Sequence, residues 1–346
     1  MERVLTLREL NRTTLMRQLL LKRARLRVVP AIERLAGLQA QWAPSPYLAL
    51  WSRLEGFTRD ALERALVRDA VIKATMMRAT LHLVSKRDYP LLAAAVRAAQ
   101  TARRLRGVAA PPPAAVERAV ALARTRPVTR RELLAVLGYD KPLSAATDPR
   151  PYRELQGLLV LAHLEQTPDA AMWTPPRVAT FRAVDLELAP PEQGRTHLVR
   201  RYLAAYGPAS RADLSQWSGV PVRELAPAVD ALPLRTFRDE TGRVLLDLPR
   251  ARLASADAPA PVRFLPRWDE VVLAYDRRER ILPNEYRRRV IAKNGDVAQT
   301  FLVDGFVAGT WELERGRVVP APFEPLPTSV RRELADEARR LETFIR

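Results

Sequence analysis

Gln39 and Gln41 flank one small residue, Ala40, in the stretch GLQAQWAPSPY, residues 37–47. A carboxamide oxygen can accept a hydrogen bond from water, and its NH2 can hold a base or a phosphate. The group has no useful basicity, so such a pair can place a nucleophilic water but cannot act as a general base. Periodicity predicts a helix over 30–41, with Ile32, Leu35 and Leu38 on one stripe. The two glutamines then fall at its end, ahead of Pro44 and Pro46. Inside a regular helix, residues two apart do not share a face. Where the chain unwinds before a proline, both amides can reach one pocket. Spacing alone does not separate that pocket from two solvated surface amides, which are the commoner case.

Other chemistry is thin. The chain has no cysteine, which excludes disulfides, zinc ribbons and thiol nucleophiles. Its three histidines, His82, His163 and His197, lie far apart and in no metal-ligand spacing. No GxxxxGK[ST] or GxGxxG loop is present. Neither a metal nor any other cofactor is therefore expected. Asp269 and Glu270 are adjacent in RFLPRWDEVVLAY (263–275), read as containing a strand. Strand neighbours point to opposite faces, so the two carboxylates would not form an acid–base pair. Residues 70–84, AVIKATMMRATLHLV, read as two strands joined by a tight turn near Met76–Arg78. That puts Arg78 at a tip, as a phosphate contact, and His82 on a strand, bonded to a backbone carbonyl or touching a nucleic acid. Trp42, Trp51 and Trp217 could stack on bases, but helical spacing makes core the plainer reading.

The elements that would position these residues announce themselves by repetition. PVTRRELLAVLG (127–138) and PASRADLSQWSG (208–219) match nearly class for class, 81 positions apart (208 − 127). Thr129 and Ser210 can cap a helix, with an acid three residues on bonding back. Gly138 and Gly219 suit the left-handed residue that stops it. A second helix then gives a helix-turn-helix. After the second copy come a helix over 222–232, containing Pro227, and a strand pair over 234–248 turning at Gly242. After the first copy, Pro151 opens a helix, with a weaker strand pair at Leu164 and Met172–Trp173. These are winged-helix modules, and residues 1–110 read as a more diverged third one. Thr58 caps a helix there that runs through Leu62, Leu66 and Val67. Arg130 and Arg211, at equivalent positions of the repeat, are candidate DNA contacts.

Charge points to a polyanion. The chain carries 57 basic and 39 acidic residues, net +18, and only five lysines. Arginine forks bind phosphate bidentately. Coding bias toward GC explains arginine over lysine but not the surplus over acid. Residues 1–30 hold eight basic and two acidic residues. Arg97, Arg103, Arg104 and Arg106 form a run without acids, and Arg287, Arg288 and Arg289 form a third cluster. Asn284, Arg277 and Arg278 could brace a nucleic-acid backbone beside it. The start, MERVLTLRELNRTTL, lacks a signal-peptide core, and no apolar run nears 18 residues. A cytoplasmic, nucleoid-associated protein without a membrane partner is expected.

Residues 110–114 (APPPA) and the prolines of 174–193 mark boundaries. They divide the chain into 1–110, 111–190, 191–258 and 259–346, the last a β-rich region. Ala298–Val303, Asp304-Gly305 and Phe306–Leu313 form a strong hairpin signal, with an apolar tip that could enter a groove. A helix over 329–344, with Leu334, Ala338 and Leu341 inward, closes the chain. The fold class is α+β: tandem winged-helix modules and a β-rich C-terminal region around a basic DNA-binding cleft.

GLQAQW, RATLHLV (78–84), YGPASRADLSQWSG (206–219), LPRWDEVVLAYDRRERILP (265–283) and VDGFVAGTW (303–311) occur in this order. In this the chain resembles the AlkZ-like, or YcaQ-type, winged-helix DNA glycosylases, over nearly its whole length. The resemblance implies a monomer that surrounds double-stranded DNA and hydrolyses the N-glycosidic bond of N7-alkylated purines, bulky and crosslinked ones included. It implies Gln39 and Gln41 as the catalytic Gln-x-Gln pair, in a subgroup tied to self-resistance against genotoxic natural products. Ala40 is smaller than the residue usual between them. Arg78, His82, Arg130, Arg211, Arg287 and Arg288 are the candidate DNA-binding residues. The competing reading is a non-catalytic winged-helix regulator; RNA binding lacks the aromatic pattern it needs.

Overall fold

The computed structural model describes residues 2–140 and 148–346; Lys141, one of the five lysines, lies outside them. Helices and three antiparallel-rich sheets are mixed along the chain. Both copies of the repeat fold as their chemistry dictates. Thr129 caps Arg130–Val136 and Ser210 caps Arg211–Ser218, each in a complete capping box with Glu132 or Asp213. Gly138 and Gly219 both take left-handed φ, +88° and +76°. The helix Val222–Asp230 follows the second copy and accommodates Pro227. The strands Arg235–Asp239 and Val244–Asp247 then turn at Gly242.

The sheets cross the divisions read from the sequence. One six-stranded sheet runs Leu38–Gln39, Leu81–Ser85, Val71–Thr75, Leu164–Gln166, Thr180–Ala183 and Val128–Thr129, so the first 110 residues and the next 80 share it. The partner of Leu164–Gln166 is thus Thr180–Ala183, inside the proline-rich stretch, and not Met172–Trp173. Trp173 instead packs edge-on against Tyr47 and Phe344. A three-stranded sheet joins the N-terminal strand Val4–Leu5 in parallel to Arg235–Asp239. The third sheet holds Arg263–Leu265, Thr300–Val303, Phe306–Glu314 and Arg317–Pro322, closed by the helix Thr328–Ile345, which buries Leu334, Ala338 and Leu341 as expected.

Ion pairs, that of Arg17 fully buried, tie the two ends of the chain together. On the helix Leu7–Arg17, Arg12 and Arg8 hold Asp304, and Arg17 holds Asp247 at 2.8 Å. Asn11 Nδ2 donates to the Gly305 carbonyl at 2.8 Å. The Asp304-Gly305 turn forms as expected, with φ positive at both residues. Its tip is docked on the N-terminal helix, however, so it does not project toward a groove. Arg12, Arg17 and Arg23 are likewise paired inside the protein, and Arg3, Arg8 and Arg25 pair with acids at its surface, so that cluster is less free than its sequence suggests.

A central core joins the units: Tyr202, Tyr206, Trp217 and Tyr275 stack within 6.3 Å of one another in successive pairs, all essentially without solvent exposure. Trp217 is therefore core. Among the described residues no helix is long and apolar enough to cross a membrane.

Candidate active site

The helix expected over 30–41 spans only Val28–Arg34. Ala36 and Gly37 then take φ of +61° and +94°, which ends the helix and turns the chain into the two-residue strand Leu38–Gln39. Gln39 pairs in register with His82, and Ala40 N–H extends the ladder to the Leu81 carbonyl at 2.7 Å. The glutamines therefore lie at a sheet edge, not at a helix end. Gln39 is buried, 6 % exposed. Gln41 is exposed, and its Oε1 accepts from Leu81 N–H at 3.3 Å.

Arg78 is the hub. The turn joining Val71–Thr75 to Leu81–Ser85 places Arg78 and Ala79 both at positive φ, +54° and +59°. Neither is glycine, so this backbone is strained by roughly 1–3 kcal/mol per residue and is held by its surroundings. Those surroundings are visible. Arg78 Nη2 donates to Gln39 Oε1 at 2.8 Å and to Glu270 Oε1 at 2.6 Å, while Nη1 donates to the Trp217 carbonyl at 2.7 Å. Gly219 closes the turn from outside: a Cβ there would lie 2.9 Å from Arg78 Cα. The left-handed glycine of the repeat thus also gives the close approach that docks it on this turn. Arg78 was expected at an exposed tip as a phosphate contact; its side chain is 12 % exposed and turned inward.

Glu270 explains why. It is 5 % exposed and also meets His82 Nε2 at 3.0 Å. Burial pushes its carboxyl up, but Arg78 and His82 outweigh that and hold it at about 2. His82 Nδ1 lies 3.0 Å from the Thr80 carbonyl and 3.5 Å from the Thr80 hydroxyl, so the strand histidine sits between Thr80 and the Glu270 carboxylate. Asp269 and Glu270 do not sit on a strand. The strand ends at Leu265, and Asp269 caps the short helix Glu270–Leu273 through Val271 N–H. Asp269 is held separately, by Arg53 at 2.7 and 2.8 Å, with both side chains buried. The adjacent acids thus serve two different arginines. The sequence reading only rules Glu270 out of an acid–base pair with Asp269; its one signal is its place in the LPRWDEVVLAYDRRERILP motif.

Beyond this network, an open cleft of ≈ 850 Å³ begins at Trp42 and Pro44, directly after Gln41, and includes Trp173, Arg267, Arg288 and Leu313. Arg287 and Arg288 are exposed. Arg278 is half-buried nearby; burial and then the like charges of Arg287 and Arg78 lower its pKa. Arg130 is exposed, whereas Arg211 pairs with Asp230. Asn284 donates to Glu279 at 2.8 Å. The predicted DNA-binding residues are therefore not one cluster: Arg78 and His82 meet at Gln39, and the others are dispersed.

Gln39 in a charge-balanced network, with Gln41 open beside it, can orient water and a polar base without adding net charge. Comparison with known proteins agrees with a nucleic-acid enzyme. The "Interstrand DNA cross-link repair glycosylase" of Streptomyces sahachiroi is 26 % identical over 358 residues, covering 93 % of each chain. The fold is similar to that of the Streptomyces sahachiroi DNA glycosylase AlkZ, with a TM-score of 0.81 at 22 % identity, covering 98 % of this chain and 97 % of the other. The sequence model of the family described as "DNA glycosylase AlkZ-like" matches residues 32–344, and the chain belongs to that family.

Proposed function

We propose that this protein hydrolyses the N-glycosidic bond of N7-alkylated purines in double-stranded DNA, with Gln39 and Gln41 as its catalytic amides. That it is a DNA glycosylase follows from its family; the lesion and the residues are our reading. The observation that carries it is the burial of Gln39 against an Arg78–Glu270–His82 network with Gln41 exposed next to it. An N7-alkylpurine is already cationic. As water adds to C1′ and the C1′–N9 bond breaks, the bond's electron pair neutralises the departing base, and the water's proton passes to solvent. Little acid catalysis is needed. What the protein must supply is a placed water and dipoles facing an oxocarbenium-like sugar, which carboxamide oxygens provide. The Glu270 carboxylate matters here too. It cancels the Arg78 charge, so a cationic base is not repelled from the site.

The relative's name extends the reading to interstrand crosslinks; in our reading these are joined through purine N7, and the activity serves self-resistance against the agents that make them. A bulky adduct suits the cleft that starts at Trp42, where indoles and arginines lie side by side. The repeated helix–turn–helix–strand units act, in this reading, as tandem winged helices around a basic cleft, in a monomer. The test is a duplex carrying one N7-methylguanine, assayed for abasic sites by alkaline cleavage. Gln39→Ala and Gln41→Ala should each lower excision by about 10²–10³-fold while duplex binding stays. Excision that survives both substitutions places the chemistry elsewhere; binding without excision by the unaltered protein favours the regulator.

A further inference from the structure

The glycosylase reading leaves the arginine run after residue 100 unused. The structure sorts the chain's basic clusters by their partners. Near the N-terminus, Arg8, Arg12, Arg17 and Arg23 are bound to Asp304, Asp247 and Glu337. By contrast, Arg103, Arg106 and Arg223 have no side-chain hydrogen bond or ion pair among the described residues, and Arg153 donates only to the Arg106 carbonyl, at 3.2 Å. With Arg104 they line one cleft of ≈ 900 Å³. Its walls are the C-terminal end of the helix Tyr89–Arg104, the helix Arg150–Leu161 and the turn before the helix Val222–Asp230. The acid on this cleft, Glu224, lies 3.6 Å from Arg195. Burial, and then the like charge of Arg103, lowers the pKa of Arg104. Five cations around one acid, which itself faces Arg195, are stabilised by a polyanion, and the N-terminus of Val222–Asp230 on the same cleft adds N–H donors.

From this cleft a short series of contacts reaches Gln39. Arg104 Nη1 donates to Gln156 at 2.6 Å, and its Nη2 donates to the Ala79 carbonyl. Ala79 is the second left-handed residue of the strained turn. Gly219, which lines the cleft, presses on Arg78 Cα from the other side. Arg78 then holds Gln39 at 2.8 Å. Two walls of the arginine cleft therefore grip the turn that positions a proposed catalytic amide.

We infer that this cleft seats the phosphodiester backbone of DNA, and that an occupied cleft fixes the Arg78–Ala79 turn so that Gln39 is set when duplex is bound. Arg104 is a positioning residue: it acts through Ala79 and Arg78. The binding half stands without the glycosylase reading; the positioning half rests on it.

The first test uses an unmodified short duplex and the triple variant Arg103→Gln, Arg106→Gln, Arg223→Gln, which alters only partner-free side chains. The slope of log affinity against log salt should flatten by roughly 2–3; an unchanged slope and affinity overturn the site. The second measures excision of N7-methylguanine with Arg104→Gln and Arg104→Lys. Arg104→Gln should lower kcat by roughly tenfold or more with KM near the original value, and lysine, which can still donate to Ala79, should restore part of it. An unchanged kcat overturns the positioning role. Amide exchange over residues 76–81 gives a readout apart from activity: duplex should slow it in the original protein and not in Arg104→Gln, and equal slowing in both overturns the coupling. If the original protein releases no N7-methylguanine, the glycosylase reading fails while the salt slope still decides the cleft.

Discussion

Replacing Glu270 by glutamine removes one charge from the network while keeping its shape. In the native protein the carboxylate accepts from Arg78 at 2.6 and 3.3 Å and meets His82 at 3.0 Å. Glutamine can accept from one of these groups, but its NH2 then faces another donor. Breaking a buried ion pair costs about 3–5 kcal/mol. The 12 % exposure of the Arg78 side chain lets solvent recover some of that, so about 2–4 kcal/mol is expected for Glu270→Gln at neutral pH. The cost is the uncompensated Arg78 charge, so removing Arg78 as well should relieve it. Urea unfolding of Glu270→Gln, Arg78→Met and the double variant should therefore show a coupling of about 1–3 kcal/mol, the double being less destabilised than the sum. The pH dependence carries the same sign. The carboxyl sits at about 2 against an ordinary 4.5. Its contribution is fully present above about 4.5 and is lost as pH falls through 2, so the gap between variant and original should hold from pH 6 to 8 and close in acid. Single-variant costs that simply add, to within about 0.5 kcal/mol, would refute the reasoning.

Three further outcomes are expected. Gly219→Ala should cost more than Gly138→Ala in thermal unfolding, although both glycines have similar φ, because Gly219 abuts another backbone, Arg78 Cα at 2.9 Å, while among the described residues nothing lies within 4 Å of a Cβ at Gly138; equal costs would mean that the turn is not docked. Lys73 is buried, its ammonium donating to the Ala170 carbonyl at 3.1 Å with no carboxylate partner among the described residues, and burial lowers its pKa to about 8 from 10.5. The folded state therefore disfavours its charge, a cost that is complete below about pH 8 and gone above 10.5, so Lys73→Met should stabilise the protein by roughly 1–3 kcal/mol at pH 7 and give little gain at pH 11. Asp304→Ala should destabilise by about 1–2 kcal/mol, because Arg12, 0 % exposed, loses a carboxylate that is itself 53 % exposed and so screened by solvent; a change under ~0.5 kcal/mol would show that the N-terminal helix is held by other contacts.

Local chemistry was legible in the sequence wherever a short-range rule decides. The two capping boxes, the left-handed glycines, the Asp304-Gly305 turn and the inward face of the last helix all form as read. What misled was tertiary. The stripe Ile32, Leu35, Leu38 fits a helix, yet Leu38 is buried as a strand residue, since a two-residue edge strand has no periodicity to detect. The proline-rich stretch read as a boundary, yet it holds Thr180–Ala183, which pairs along its two edges with strands that both precede it in sequence. Charge clusters were ambiguous for the same reason. Arg8, Arg12 and Arg17 find acids more than 200 residues away, whereas Arg103 and Arg106 find none among the described residues. The site was legible only in part. Gln39 and Gln41 came from the resemblance, and His82 from its motif, but the inward turn of Arg78 depends on Glu270 and Trp217, 192 and 139 residues along the chain.

The central claim is that two neutral amides, set by a charge-balanced arginine, suffice because the leaving purine is already cationic. Single-turnover excision from matched duplexes carrying either N7-methylguanine or uracil tests it most directly. The account predicts release of N7-methylguanine and none of uracil, whose departure would need an acid this site does not have. Comparable release of both bases would contradict it.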